Sequence, residues 1–570
     1  MLVHPRGFAI VCRQRHKLIH LATGHREDDT ILTQGPDPVT DESLSAAEPA
    51  FAYDRMVYIG HPFVQTHPDR LATIASLHGM QPAPVAGCRV LELGCGDGGN
   101  LIPMAYQWPD SEFVGVDLSA RAVEKGEATA AELGLRNIRL LRLDIMDVGV
   151  DFGRFDYIIA HGVYSWVPQP VRDKMMAIFR QNLAPAGVAY VSFNANPGSH
   201  LRDFARGMML FHVRGITDPA TRVEQARTLL KFLAQVSTGE DWYGMLLRNQ
   251  LERVCKMPDM LLYHDDLDES ARAFFLHEVV EEAARHGLQY LSDASFSALN
   301  LQAEPEPVVN MISQIPEDDV LTREQYLDFV KGRAFRETLL CHHEASLRRQ
   351  IPPQCIEHYH IAAHAVPVAE EIDPAEAGIG EFKTEKGGII STNHGLSKAA
   401  LLHLGKVWPR TVSFAELVDN ASARLGAMTG AAGVERKADL EALTDFLFRM
   451  FRAGIVELHL YPPRFTTAIG ERPQASLIAR SQAPHGPLIS NLRHSTIVLE
   501  DEIVRRFLVL VDGTRTLDQL VCDLNLALAA EPDAATPRVD GGSAGGRRQV
   551  TREEVERNLA TMARLALLVA

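Results

Sequence analysis

The stretch Arg89-Val90-Leu91-Glu92-Leu93-Gly94-Cys95-Gly96-Asp97-Gly98-Gly99-Asn100 decides the fold. An apolar run closes in a glycine-rich turn and an amphipathic segment opens directly behind it. Strand, turn and helix in that order mark the place where open α/β sheets hold adenosine-containing ligands. Glycines let the backbone approach a ligand where a Cβ would collide. Gly94, Gly96 and Gly99 also satisfy GxGxxG, so spacing alone leaves a nicotinamide dinucleotide and S-adenosylmethionine (SAM) both open. Charge separates them. A pyrophosphate at a helix N-terminus calls for positive potential, whereas this loop carries Asp97 close behind Glu92. The methionine end of SAM brings an ammonium and a sulfonium, which carboxylates attract, so SAM is the cofactor expected.

Outward from the loop, strand and helix patterns alternate from Cys88 to Phe193. Strands are expected at Arg89 to Leu93, Glu112 to Asp117, Ile138 to Leu143, Phe155 to Ala160 and Val188 to Phe193. Helices are expected at about 99–107, 119–133 and 170–183. The fold class is therefore α/β, a Rossmann-like parallel sheet covered on both faces, with its site at the carboxyl ends of the strands. The second strand ends at Asp117 and Leu118, about 20 residues past the glycine loop, where an acid can accept both ribose hydroxyls. The third ends at Leu143-Asp144-Ile145, an acid for the adenine amine with apolar neighbours for its ring. The fourth runs into His161-Gly162-Val163-Tyr164-Ser165-Trp166, an aromatic cluster where the methyl group would be presented. Any one of these acids alone reads equally as a cap or turn residue. Their order behind the loop makes the site reading the stronger one.

The phrases Glu92 to Asn100 and Val116-Asp117-Leu118-Ser119 resemble those of a class I SAM-dependent methyltransferase. Gln65-Thr66-His67-Pro68-Asp69-Arg70, His161 to Val167, Ser192 to Gly198, Phe275-Leu276-His277-Glu278 and Ala283 to Leu291 are similar to a narrower bacterial group. That group carries a methyltransferase regulatory domain and includes protein-lysine methyltransferases. The chain departs from it at Tyr58-Ile59-Gly60, where Tyr-Pro is usual, and at Asn194 to His200, which lacks the customary aromatics. The resemblance implies SAM held by Glu92, Gly94, Gly96, Asp97, Asp117, Leu118, Asp144, Ile145 and His161. Tyr164 and Trp166 are the catalytic candidates, as a lysine pocket that also stabilises a passing methylammonium by cation-π contact. Tyr58 and Asn194 are the substrate candidates. Two aromatics simply packing the loop is the competing reading for Tyr164 and Trp166. The segment Tyr53 to Asp69 is expected to fold over the ligand as a lid, with Tyr58 and His67 near the cofactor.

Length, charge and cysteines bound the rest. At 570 residues several domains are expected. They are a weakly ordered extension (1–50), the methyltransferase domain with its lid (51–215), a helical regulatory domain (216–365) and two winged-helix-like units (380–465 and 480–570). Both units share helix, Arg-Thr turn, helix, helix, strand, and residues 532–548 read as a mobile loop inside the second. A net charge of −16 argues against non-specific nucleic-acid or membrane binding. The segment 480–570 holds 11 Arg, no Lys and 12 acids, so no electrostatic footprint for DNA exists there. Seven cysteines without CxxC spacing suit a reducing cytoplasm, and no run is long enough to span a bilayer. No metal is expected. His264-Asp265-Asp266 and His277-Glu278 form a legitimate ligand set but read more simply as caps and buried histidines. Cys355 to His364 reads as a structural strand with His358, His360 and Ala362 on one face. The expected partner is an acceptor substrate, a protein in the first reading, with a homodimer as a candidate assembly. A small-molecule methyltransferase and a non-catalytic SAM-binding scaffold are the alternatives.

Overall fold

The structure is a computed structural model that describes residues 12–14, 58, 60–237, 239, 241–301, 304–429, 433–529 and 549–569. Its centre is a seven-stranded sheet of β1 (Arg89–Leu93), β2 (Glu112–Asp117), β3 (Ile138–Arg142), β4 (Phe155–Ala160), β5 (Leu183–Asn194), β6 (Leu288–Asp293) and β7 (Phe335–His342), in the order β3-β2-β1-β4-β5-β7-β6. The first five strands are parallel, and β7 runs antiparallel to both β5 and β6. Burial along β1 and β4 is nearly continuous rather than alternating, as a sheet covered on both faces requires. The helices Leu101–Gln107, Ala120–Glu132 and Gln169–Asn182 return the chain between strands, each within two residues of its expected bounds. β5 starts earlier than expected, at Leu183, because the chain pairs with Phe155 before a register shift.

The region expected to be a helical bundle splits in two. Helices Gly198–Val213, Pro219–Val236 and Trp242–Lys256 enclose their own small core of residues such as Met209, Leu230 and Val254. The remainder, from Leu276, returns to the sheet as β6 and β7. The boundary drawn at residue 215 is thus not a physical one, since the sheet is completed only at His342. The wholly buried Arg336 on β7 fixes that closure through ion pairs to Asp328 (2.8 Å), Glu324 (3.1 Å) and Asp293 (3.3 Å).

The first C-terminal unit contains helices Gly395–Val407, Phe414–Thr429 and Gly433–Arg452, with the strand Glu457–His459. It borrows its central strand, His360–Ala362, from upstream. The strand expected around His358 begins only at His360, because Pro352-Pro353 favours a 3-10 turn over Pro353–His358. Leu404, Leu443 and Phe446 share one apolar cluster with Val90, Phe113 and Tyr157 of the sheet, so this unit roofs one face of the methyltransferase core. The last unit has a separate core formed by the hairpin Leu488–Ser490/Thr496–Leu499 and helices Glu502–Leu510, Leu517–Ala529 and Arg552–Arg564. Of the first fifty residues only Cys12–Gln14 is described, as a third strand beside Ile497–Leu499. The rest of the expected extension, and the expected loop over 532–548, lie outside the described residues.

Candidate active site at the carboxyl ends of the strands

A cavity of about 290 Å³ opens at the end of β1 and runs toward the loop after β4. At one end it is lined by Glu92, Gly94, Gly96, Asp117 and Ser119. Gly94 adopts φ +74°, and a Cβ there would fall 2.4 Å from the Val163 side chain, so glycine is required at the elbow. Glu92 is buried: Oε1 accepts from Asn100 Nδ2 at 2.7 Å, while Oε2 has no hydrogen-bond partner among the described residues. Burial pushes its carboxyl up to about 8, against the Asn100 hydrogen bond and with help from nearby Asp117. Asp117 closes the turn, accepting from the Gly96 amide and the Ser119 amide, each at 2.8 Å.

The other end is lined by Tyr58, His161, Trp166, His264, Asp265 and Phe335. His161 lies between Phe63 (ring centroids 3.9 Å apart) and Phe335 (6.1 Å), and its Nδ1 hydrogen-bonds the Tyr190 hydroxyl at 2.8 Å. Burial, then the neighbouring His61, lowers its pKa to about 3, so the ring is neutral and acts as a wall. The Trp166 indole Nε1 is buried and unpartnered. Burial also raises the Asp265 carboxyl, to about 6, against the attraction of Arg202.

Of the segment expected as a lid, residues 58 and 60–69 are described, and they meet the glycine loop. Gly60 packs on the glycine loop so closely that a Cβ on Gly99 would lie 2.3 Å from the Gly60 carbonyl carbon. The Phe63 amide donates to Asn100 Oδ1 at 3.0 Å, and His61 and Phe63 line the cavity. His67 is not part of it: its Nδ1 caps helix Pro68–Leu77 by accepting from the Asp69 amide.

Several expected site residues lie elsewhere. Asp97 does not line the cavity, because Lys125 Nζ at 2.8 Å and the Gly99 amide at 3.1 Å hold its carboxylate. The acidic side chains that line the elbow are therefore Glu92 and Asp117. Tyr164 is wholly buried beneath the loop, its hydroxyl donating to Glu282 Oε2 at 2.9 Å and its ring packed on Phe274. It props the turn that presents Trp166 rather than facing the cavity. Asn194 turns toward Arg202, whose Nη1 donates to its Oδ1 at 3.4 Å. Asp144 caps the turn Ile145–Asp147 through the Met146 amide, Ile145 joins the sheet core, and Leu118 is exposed outside the cavity.

Sequence reasoning had dismissed His264-Asp265-Asp266 as caps. The π-helical turn Leu262–Asp266 divides them: Asp266 is buried between Arg202 (2.8 Å) and Arg253 (3.0 Å), while His264 and Asp265 face the cavity. His277 and Glu278 are structural, bonded to Gln325 and to the Phe275 amide. Asn100 also went unnoticed. Its Oδ1 accepts from His494 Nε2 at 2.9 Å, a residue of the turn between the hairpin strands of the last unit. That buried asparagine joins lid, C-terminal hairpin and Glu92.

A glycine elbow floored by Glu92, whose Oε2 is buried without a hydrogen-bond partner among the described residues, with Asp117 beside it, fits the cationic end of SAM better than a pyrophosphate. Fold and site together define a class I methyltransferase. Sequence models for a methyltransferase domain, a predicted methyltransferase regulatory domain and the C-terminal winged helix domain of PKMT match residues 90–187, 258–342 and 471–567. The uncharacterized protein RP789 of Rickettsia prowazekii is 32% identical over 488 residues, spanning 83% of this chain and 85% of that protein. PKMT2 from Rickettsia typhi, solved in complex with AdoHcy, superposes with a TM-score of 0.78 at 28% identity, covering 90% of this chain and all of that one. The chain belongs to this family of SAM-dependent, PKMT-like methyltransferases with a regulatory domain and a C-terminal winged helix. No helix among the described residues is long and apolar enough to cross a membrane.

Proposed function

We propose that this methyltransferase acts on the ε-amine of a lysine in a protein acceptor. The observation that carries the reading is the far end of the cavity, where Trp166, Phe335 and Tyr58 stand with the Asp265 carboxyl. Apolar and aromatic walls disfavour an ammonium and lower the cost of removing its proton. Asp265 attracts the incoming cation and takes that proton, and its raised pKa suits the task near neutrality. Trp166 then faces the methylated ammonium that forms. Glu92 and Asp117 hold the methionine end and ribose of SAM, which supplies an already activated sulfonium methyl. The chain aligns the two reactants and excludes water. The likeness to PKMT2 and to the PKMT winged helix supports a protein as acceptor. Cys88, Cys95, Cys255, Cys341, Cys355 and Cys522 are free thiols, which supports a reducing, cytoplasmic setting.

Asp265→Asn tests this directly. Its kcat on protein acceptor is expected to fall by roughly a hundredfold near pH 7 and by much less near pH 10, where lysine deprotonates unaided. SAM affinity stays within about twofold because the cofactor end is untouched. An unchanged kcat, or an equal loss at both pH values, would count against the assignment.

A further inference from the structure

A second cavity, about 480 Å³ and larger than the cofactor cavity, lies where the edge strand β6, the helix Val320–Lys331 and the helix Gly433–Arg452 meet. Its walls are apolar, formed by Phe296, Leu299, Leu301, Ile312 and Phe448. Three polar groups among its lining are buried without a hydrogen-bond partner among the described residues: Tyr290 Oη, Ser292 Oγ and His78 Nε2, on residues 5%, 2% and 7% exposed. A buried polar group left unpaired is costly, so an apolar void is a poor account of this place.

Its lining carries three arginines against two acids. Arg323, Arg349 and Arg452 line it. Arg349 donates to the carbonyls of Leu291 (2.9 Å) and Tyr290 (2.7 Å), and neither Arg323 nor Arg452 makes an ion pair among the described residues. Burial and then the facing Arg323 lower the basicity of Arg452, so two cations confront one another. Of the two acids present, Glu324 is committed to Arg336 and Glu317 accepts from Gln350.

We infer that this cavity binds a small amphipathic anion, an apolar aliphatic or aromatic body seated against Phe296, Ile312 and Phe448 with a carboxylate or phosphate head between Arg323 and Arg452. Tyr290, Ser292 and His78 supply hydrogen bonds beneath it. Most of the lining falls in the stretch matched as a regulatory domain, and His78 directly follows the helix Pro68–Leu77, whose first turn ends the expected lid segment. That helix is the covalent link between this site and the segment packed on the glycine loop. None of this depends on what the enzyme methylates.

The test uses the full chain and two fluorescent dyes with related apolar bodies, the anionic 8-anilinonaphthalene-1-sulfonate and the uncharged N-phenyl-1-naphthylamine. The sulfonate is expected to bind saturably and to be displaced by octanoate. Arg323→Gln with Arg452→Gln should weaken the sulfonate about tenfold or more, leaving the uncharged dye and SAM affinity unchanged. No saturable sulfonate binding, unchanged affinity in the variant, or equal loss of both dyes would overturn the inference. If that variant does not fold, Ile312→Trp decides by filling the cavity. Loss of both dyes with SAM binding kept supports the site, and retention of both overturns it.

Discussion

Glu92 shows how one buried carboxyl sets the chemistry of the elbow. Its proton is held up to a pKa of about 8 by burial, so the cavity floor is neutral until a cation arrives. SAM binding near pH 7 is therefore expected to release a proton and to tighten as pH rises toward about 8. Calorimetry in buffers of different ionisation heat measures this. Glu92→Gln should remove the proton release and weaken SAM by roughly ten- to a hundredfold. Without cofactor the sign is opposite. The native state keeps a proton that the unfolded chain gives up, so this group costs stability as pH climbs from about 4.5 through about 8. Arg336 acts only on the fold. Arg336→Met strands Asp293, Glu324 and Asp328 in the core and is expected to cost about 3 to 5 kcal/mol in a urea titration. At this scale the sequence was readable where local pattern sets position: Glu92, Gly94, Gly96 and Asp117 line one cavity, as their order along the chain implies. It failed for Asp97 and Tyr164, because Lys125 and Glu282 are 28 and 118 residues away. Residue type reveals an acid or a ring, not what a distant partner does with it.

Elements outside the sheet reach the site through named contacts. His459, on the strand Glu457–His459, binds Asp69 at 2.8 Å and Glu457 at 3.3 Å, clamping the first C-terminal unit to the lid helix. Burial works against its charge, but those two carboxylates outweigh it and raise its pKa to about 9. The clamp thus contributes stability that is fully present below about pH 6.5 and lost as pH rises through about 9. The stability gap between wild type and Asp69→Asn should be wide near pH 7 and narrow near pH 10 in parallel denaturation curves. The hairpin turn carrying His494 reaches farther. His494→Ala removes the donor that orients Asn100 and is expected to weaken SAM by about three- to tenfold while thermal stability of the sheet persists. Unchanged SAM affinity would make that contact purely structural. The five parallel strands and three crossover helices were legible because each carries its own period. β6 and β7 were not, because strands that close a sheet after a long helical insertion carry no local mark of where they return.

At the scale of the molecule, the C-terminal units and the regulatory region are parts of one catalytic body. The first unit shares the sheet's core, the second meets the cofactor loop at Asn100, and the regulatory region completes the sheet and supplies His264 and Asp265 to the cavity. This interlocking was not visible in sequence, since it rests on contacts across hundreds of residues. The central claim is that the joined cavity delivers the methyl of SAM to a protein lysine. It is tested most directly by counting products after incubation of the full chain with SAM and a protein extract. One AdoHcy should form for each methyl group found on lysine ε-nitrogens in the protein hydrolysate, and both should vanish when the extract's lysines are chemically blocked beforehand. AdoHcy accumulating with its methyl groups in small molecules, or undiminished on the blocked extract, would contradict it.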